Sequence, residues 1–598
     1  MSLVAFVRAA FAAVGICKIW LGDFEFRSQP GGLPEPICLV AHDLDSGNTV
    51  RWWEDDLRRA AGPPYGTDAD SVMVGYYASA EVSCHLALGW PLPTNILDLF
   101  TEFRVRTNGL CPPDGASLLG ALGYFGLPAI GWEQKEAMRT LALRGGPYTA
   151  EERSALLAYC ETDVTALAEL LPTMMPGIDL PRALHRGRYM KAVARMERTG
   201  VPVSVDELSR LRHWWDAIPE RLIRKVDQSY GVYEGGTFKR ERWRRWTEAH
   251  GIAWPELPSG VQALDADTFR DMAQMHHEVG EMKELRASLS QLRLADLAVG
   301  PDGRNRCMLS AYRAKTGRNQ PSTSEFIFGP AVWLRLLMQA PPGHALAYVD
   351  WAQQEFGIAA ALSGDPAMML AYRSGDPYLA FAIQAGAAPE GATRSTHGEI
   401  REKFKACALA VQYCMGYENL AVRIGQSVAH ARRLLDLHRQ TYPKFWAWSD
   451  AALDYAMLTG ALPTVYGWEV HVGGDANPRS IRNHPVQGNG AEMLRLAAIF
   501  TTEQGIEVCA PVHDALLVMA PIERIDEVVA ATQKAMADAS KLILGGFELR
   551  SEVKIFAHPN RFTDPRGESM WAKVWEIIEE LEQAGSVDPV SAASSTKG

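Results

Sequence analysis

Hydrophobic positions along the chain fall into three textures. Over residues 1–180, short apolar runs (ICKIWLGDFEF, EPICLVAHDL, SVMVGYY) read as strands. SLLGALGYFG and EERSALLAYCETDVTALAELL carry helical periodicity, so this stretch reads as α/β. The proline-bearing LPTMMPGIDLP marks a boundary. Residues 182–300 are largely helical in pattern, as in RALHRGRYMKAVARMERTG, VDELSRLRHWWDAIPERLIRKV and DMAQMHHEVGEMKELRASLSQLRLADLA. Residues 301–565 mix strands near 345–350, 463–472 and 507–519 with long helices. The closing AGSVDPVSAASSTKG is small and polar and is expected to be disordered. The apolar start MSLVAFVRAAFAAVGICKIW reads as a buried first element rather than a targeting segment, because Arg8 lies inside the run. No stretch supplies the ~20 uninterrupted apolar residues of a membrane span, and no internal repeat is evident.

Composition narrows the class. At about 150 residues per domain, 598 residues suggest roughly four domains. Hydrophobic residues at 47% and charged residues at 22% fit an ordinary soluble globular chain. The net charge of -11 argues against a polyanion partner until it is divided. Residues 1–180 hold 22 acidic and 12 basic side chains, residues 181–566 are net +3, and 567–598 hold six acids and two bases. Nine scattered cysteines without a CxxC pair point to a reducing, cytoplasmic compartment and away from structural zinc.

Two carboxylate constellations carry the chemistry. In WLGDFEF, Asp23 and Glu25 alternate along a strand and share one face. By itself this pair also fits a solvated strand face. Glu81 follows in VGYYASAEVSCHLALG, and Tyr159 and Asp163 are i and i+4 on one helical face. Four acids and a phenol can bind two hard cations through oxygen and orient a water for phosphodiester hydrolysis. Here the chain resembles the DEDD-type 3′–5′ exonucleases, tyrosine subclass. The family has Asp where this chain has Glu81, one methylene longer, and Asp98 in TNILDLF matches a further family aspartate. A degenerate module kept as a structural platform is the alternative.

The second constellation spans three segments. HALAYVDWAQQEFGIAAALSGD runs from strand to helix, with Asp350 at the strand end and Gln353 and Glu355 just beyond. VCAPVHDALLVMAP reads as a hairpin with His513 and Asp514 at its tip. Between them, Arg401, Lys405, Leu409 and Tyr413 are spaced four apart and form one slowly drifting helical stripe. Cation, cation, apolar, aromatic is either a solvated turn leading into a core face or a rod that grips a triphosphate and stacks on a base.

In this order the segments resemble motifs A, B and C of family A DNA polymerases. Lys315-Thr316-Gly317-Arg318 resembles the family's TGR segment, and Arg479 to Gly488 its R…NxPxQG segment. MERTGVPVSVDEL resembles the start of the thumb, and HRQTYPKFW the fingers–palm connection. The resemblance implies a multidomain α/β chain with an N-terminal ribonuclease H-like exonuclease domain (1–181) and a right-hand polymerase. The latter divides into thumb (182–300), palm (301–362 and 463–566), fingers (363–462) and an acidic helix with a disordered tail (567–598). It implies that Asp350 and Asp514 hold two Mg²⁺ ions, with Mn²⁺ as the alternative, and that Asp23, Glu25, Glu81 and Asp163 hold two more. Arg401 and Lys405 would bind the dNTP triphosphate, Lys405 protonating pyrophosphate. Tyr413 and Leu409 would flank the nascent pair, and Glu355, with Gln353 near it, would be the steric gate. Arg318, Arg479, Asn483, Gln487 and His513 would hold primer-template DNA. Leu409 replaces an aromatic residue, Ala410 a glycine, and Ala515 a glutamate.

A single-subunit RNA polymerase shares the palm but lacks the carboxylate gate and the nuclease constellation, so Glu355 and residues 23–163 argue against it. A non-catalytic binding protein is disfavoured by the joint presence of Asp350, Lys405 and Asp514. Basic clusters at 182–198 and 238–246 fit sequence-independent phosphate contacts. The compact layout, with no 5′ nuclease ahead of residue 23, is expected of a monomeric phage replicase.

Overall fold

The computed structural model describes residues 2–585 apart from 129–131, 258, 292–293, 295, 330, 413 and 475. Tyr413 and the segment 586–598, expected to be disordered, therefore lie outside the described residues.

Residues 3–174 build a five-stranded mixed sheet flanked by helices. The strands are β1 (Lys18–Arg27), β2 (Glu35–Asp43), β3 (Thr49–Trp53), β4 (Ser71–Gly75) and β5 (Asn95–Asp98), in the order β3-β2-β1-β4-β5. β1 pairs antiparallel with β2, and β2 with β3; β1, β4 and β5 run parallel. Every residue of β4 is buried, as befits a strand covered on both faces. The apolar N-terminus forms a helix, Leu3–Ala12, that buries Val7 and Phe11 in this core. Pro172 does not end the long Ala150–Met174 helix; the chain breaks three residues later, in the Met175–Gly177 turn.

The helix Leu180–Thr199 then joins this unit to the rest. Its Gly187 lies so close to β5 that a Cβ there would sit 1.9 Å from the Ile96 carbonyl oxygen. Arg188, one residue on, pairs with Glu503 of the Pro478–Glu503 helix at 2.5 Å. The helical region after it packs on the back of a four-stranded antiparallel sheet, with Trp243, Phe269 and Trp333 in the same cluster as Leu346, Leu517 and Phe556. That sheet has the order Glu507–Val512, Ala515–Pro521, His344–Trp351, Ser551–Ala557. The last strand is one the sequence pattern did not reveal. Helices from Pro366 to Thr459 form the third layer, packed with Phe356, Tyr378, Phe381 and Tyr442. The acidic C-terminal helix, Pro565–Gly585, docks on the helical region: Arg210 pairs with Glu582 at 2.7 Å, and Lys225 with Glu576 at 2.8 Å and Glu580 at 3.0 Å. No described helix is long and apolar enough to cross a membrane.

One buried ion pair ties the two halves together. Arg186 meets Glu102 in a two-pronged contact, Nε and Nη2 each 2.7 Å from a carboxylate oxygen, with both side chains almost completely enclosed. Removing one partner strands the other charge in a dry interface, a loss of about 3–5 kcal/mol. Glu102→Ala should therefore lower the first thermal transition markedly. A melt superimposable on wild type would show that the pair does not hold the halves together.

Two candidate active sites

The first site forms where β1 faces the Ala150–Met174 helix. The pleat of β1 sends Asp23 and Glu25 to one face. The helix brings Asp163 to meet them, with ligand oxygens of all three within 4.8 Å of one another. Tyr159 is buried one turn before Asp163. Burial, and then the Asp163 charge, push the Asp23 carboxyl up to about 8. Glu25 is raised by burial and by Asp23, and Asp163 by burial. The Cys160 thiol donates to the Asp23 carboxylate at 3.3 Å.

Glu81 stands outside this three-way cluster, on the Ser79–Leu88 helix. It is buried there, with Oε2 lacking a hydrogen-bond partner among the described residues. Burial, then Asp23, raises it. Asp98 is occupied differently: its carboxylate accepts from the Tyr77, Ala78 and Phe100 amides and the Thr101 hydroxyl. It thereby holds the left-handed turn at Tyr77, φ +70°, that launches the Glu81 helix. A cleft of about 720 Å³ opens beside Asp23 and Asp163, lined by Tyr76, Phe100, Arg104 and Lys135.

The second site sits at the end of the antiparallel sheet. Asp350 lies opposite Ala515 on one side and Glu552 on the other. The His513–Asp514 turn, with His513 at φ +55°, brings the Asp514 carboxyl against that of Asp350. Burial, then Asp514, pushes Asp350 up to about 8, and its Oδ1 is buried without a hydrogen-bond partner among the described residues. Asp514 is also raised by burial, offset chiefly by the Arg318 guanidinium. Glu355 opens the helix Gln354–Ser363 and accepts a 2.5 Å hydrogen bond from Gln487 Nε2. Gln353, in left-handed backbone at φ +47°, caps that helix.

The Gly398–Gln412 helix carries Arg401, Lys405 and Leu409. Arg401 is buried, 2.5 Å from both Asp376 and Glu402, and lies over the Tyr378 ring. Lys405 is more open, 3.9 Å from Glu402, and Leu409 is half-buried. Arg479, Asn483 and Gln487 are four apart on the Pro478–Glu503 helix and share a face.

Sequence reasoning missed three residues here. Lys135 Nζ comes within 3.7 Å of Asp163 from a helix that no motif flagged. Arg104 enters the first cleft from the end of a short helix. Glu552 lies beside Asp350, where the alternation of SEVKIFA, read as a strand, would have placed a carboxylate on the Asp350 face.

Both sites are crowded with desolvated carboxyl oxygens, some without a hydrogen-bond partner among the described residues. Such donor sets fit hard divalent cations. The antiparallel sheet with its paired aspartates, packed between helical layers, resembles the palm of a right-hand polymerase. Residues 329–558 match the model of DNA polymerase family A. DNA polymerase I of Deinococcus radiodurans is 28% identical over 237 residues, covering 37% of this chain and 24% of that protein. The Chloroflexus aurantiacus enzyme is 23% identical over 435 residues, covering 66% and 45%, and the Aquifex aeolicus one 24% over 438, covering 65% and 73%. The chain thus spans less than half the length of the first two relatives. The POL domain of Pol1 from M. smegmatis, solved in complex with DNA primer-template and dNTP, superimposes with a TM-score of 0.64 at 16% identity, over 92% of this chain and 97% of that one. Residues 329–558 are thus similar to DNA polymerase family A, and the chain as a whole shares the fold of the POL domain.

The raised carboxyls set a pH dependence. An unfolded aspartate titrates near ~3.9, whereas Asp23 and Asp350 do so at about 8 in the fold. Between these values the folded state holds protons that the unfolded state has released, so stability falls as pH rises through that window. Metal-stripped protein should melt lower at about pH 8 than at about pH 6, and Mg²⁺ should raise the melting temperature more at the higher pH. Asp23→Asn and Asp350→Asn should flatten the slope. A slope identical to wild type in both variants would contradict the assignment.

Proposed function

We propose that this chain is a DNA-directed DNA polymerase that extends a primer with dNTPs and edits it with a 3′–5′ exonuclease. The observation that carries the reading is the pair Asp350 and Asp514, pressed together at one sheet end with the Arg318 charge beside them. Two Mg²⁺ ions held by these aspartates would lower the pKa of the primer 3′-hydroxyl and offset charge on the triphosphate.

The chain's own groups do the rest. Lys405 binds the triphosphate and gives its proton to the departing pyrophosphate. Arg401 joins it on release from Asp376. Glu355, braced by Gln487, fills the space a ribose 2′-hydroxyl would need, with Gln353 behind it and Leu409 against the sugar. Tyr413 flanks the templating pair. Arg318, Arg479, Asn483, Gln487 and His513 hold primer-template DNA along the minor groove. In the nuclease unit, Asp23, Glu25, Glu81 and Asp163 would hold two further Mg²⁺ ions, and the Tyr159 phenol orients the attacking water. The protein works as a monomer in the bacterial cytoplasm.

One observation favours a second reading of the nuclease unit. Lys135, 3.7 Å from Asp163, already places a cation among the carboxylates, as a degenerate site could.

Primer extension with dNTPs should disappear in Asp514→Ala and persist in Asp23→Ala; equal extension by Asp514→Ala would sink the polymerase reading. A 5′-labelled primer without dNTPs should shorten in wild type and not in Asp23→Ala. No shortening in wild type would leave the degenerate module standing. Glu355→Ala should raise ribonucleotide incorporation by about 10–100-fold relative to dNTPs, the range one steric contact commonly governs.

A further inference from the structure

We infer that Asn108 and Arg104, which belong to the nuclease unit, are positioning residues for Arg318 in the polymerase unit. This rests on the polymerase reading above.

The segment leading to Arg318 has no regular structure of its own, so its carbonyls need donors from elsewhere. The Leu99–Thr107 helix supplies them. Arg104 Nη2 donates to the Arg313 carbonyl at 2.8 Å and Nε to that of Tyr312 at 3.4 Å. Asn108, at the end of the same helix and wholly buried, spends both hydrogens of one amide nitrogen, on Lys315 O at 2.7 Å and Glu469 O at 2.8 Å. Its own carbonyl accepts from the His471 amide at 2.8 Å. The next residue, Gly109 at φ +92°, permits this approach; a Cβ there would sit 2.4 Å from His471 O.

The opposite side of the segment is held from within the polymerase unit. Trp468 Nε1 donates to Lys315 O at 2.9 Å, and Arg495 Nη1 to Gly317 O at 2.6 Å. Between the two sets of donors, Ser310 and Tyr312 adopt left-handed backbone at φ +49° and +58°. Residues with a Cβ hold that conformation only where their surroundings over-determine it. Arg318 Nε has no hydrogen-bond partner among the described residues, so the backbone of this segment is the anchor from which the side chain reaches Asp514. The helix begins at Asp98, which clamps the turn before Glu81. One nine-residue rod therefore runs from the nuclease site to the primer-contacting loop.

Asn108→Asp keeps the shape and removes both donors, setting a carboxylate against two carbonyls. In the full-length chain it should raise the KM for primer-template by about tenfold, the scale of a lost pair of buried hydrogen bonds. The kcat and the KM for dNTP should move by less than about twofold, within ordinary surface-mutation scatter. In an Arg318→Ala background the same change should add little, because the two act as one unit. Arg104→Lys, which keeps one donor, should give an intermediate rise and guards against a folding defect in Asn108→Asp. An unchanged primer-template KM in both variants, or an undiminished Asn108→Asp effect in the Arg318→Ala background, overturns the inference. If wild type extends primers and Asp514→Ala does not, such a result refutes this inference alone. If wild type extends nothing, the polymerase reading falls and this inference with it.

Discussion

Asp350 stands beside Asp514 at the sheet end because the strand His344–Trp351 pairs with both neighbours in one register. Side chains alternate faces along a strand, so a slip of one residue would turn Asp350 to the face now buried by Ala345, Ala347 and Val349 and turn Val349 to the face of Leu346. The same register sets Ala515 and Glu552 on either side of it. Asp514 of the hairpin turn lies against that strand end, with the Arg318 guanidinium near Asp514, and Glu355 opens the helix that follows the strand. The buried alternation Ala345, Ala347, Val349 is what pays for the register, packing into the cluster that holds Phe356, Tyr378, Phe381 and Tyr442.

The two sites share a physical design on unrelated scaffolds. Each gathers carboxylates where water is scarce and leaves an oxygen, Glu81 Oε2 or Asp350 Oδ1, without a hydrogen-bond partner among the described residues. Burial is the leading cause of the upward shift of Asp23, Glu25, Glu81 and Asp350, with mutual repulsion next. A fold that tolerates such crowding has an empty requirement for positive charge. The cations the chain supplies nearby, Lys135 in one site and Arg318 in the other, meet that requirement only in part.

The clustered carboxylates were legible because each sits in a short local pattern: DFEF on one strand, YCETD on one helix, YVDW and VHDA at strand ends. The mixed α/β, multidomain class followed from the same textures. What was not legible depended on distant partners. Asn108 meets Lys315 and Glu469, more than two hundred residues away, and nothing local distinguishes it from a helix-ending asparagine. The strand Ser551–Ala557 is mostly exposed and buries only Phe556, so no apolar face marked it as a strand and Glu552 was passed over. Pro172 looked like a stop and lies inside a helix, where neighbouring packing outweighs the lost amide. Arg401 was expected to face the triphosphate, yet here it is buried against Asp376, a partner outside the motif that singled it out.

The docked C-terminal helix changes how the charge of the helical region should be counted. Its carboxylates sit on Arg210 and Lys225 as fixed, tethered counterions. A polyanion approaching that face would have to displace protein anions rather than mobile salt ions, and would recover none of the entropy that releasing a salt ion brings. The basic charge left free for exchange lies instead around Arg240 and Arg245, which are exposed on the 238–246 segment. The docked helix thus supplies the molecule with part of its own ionic atmosphere.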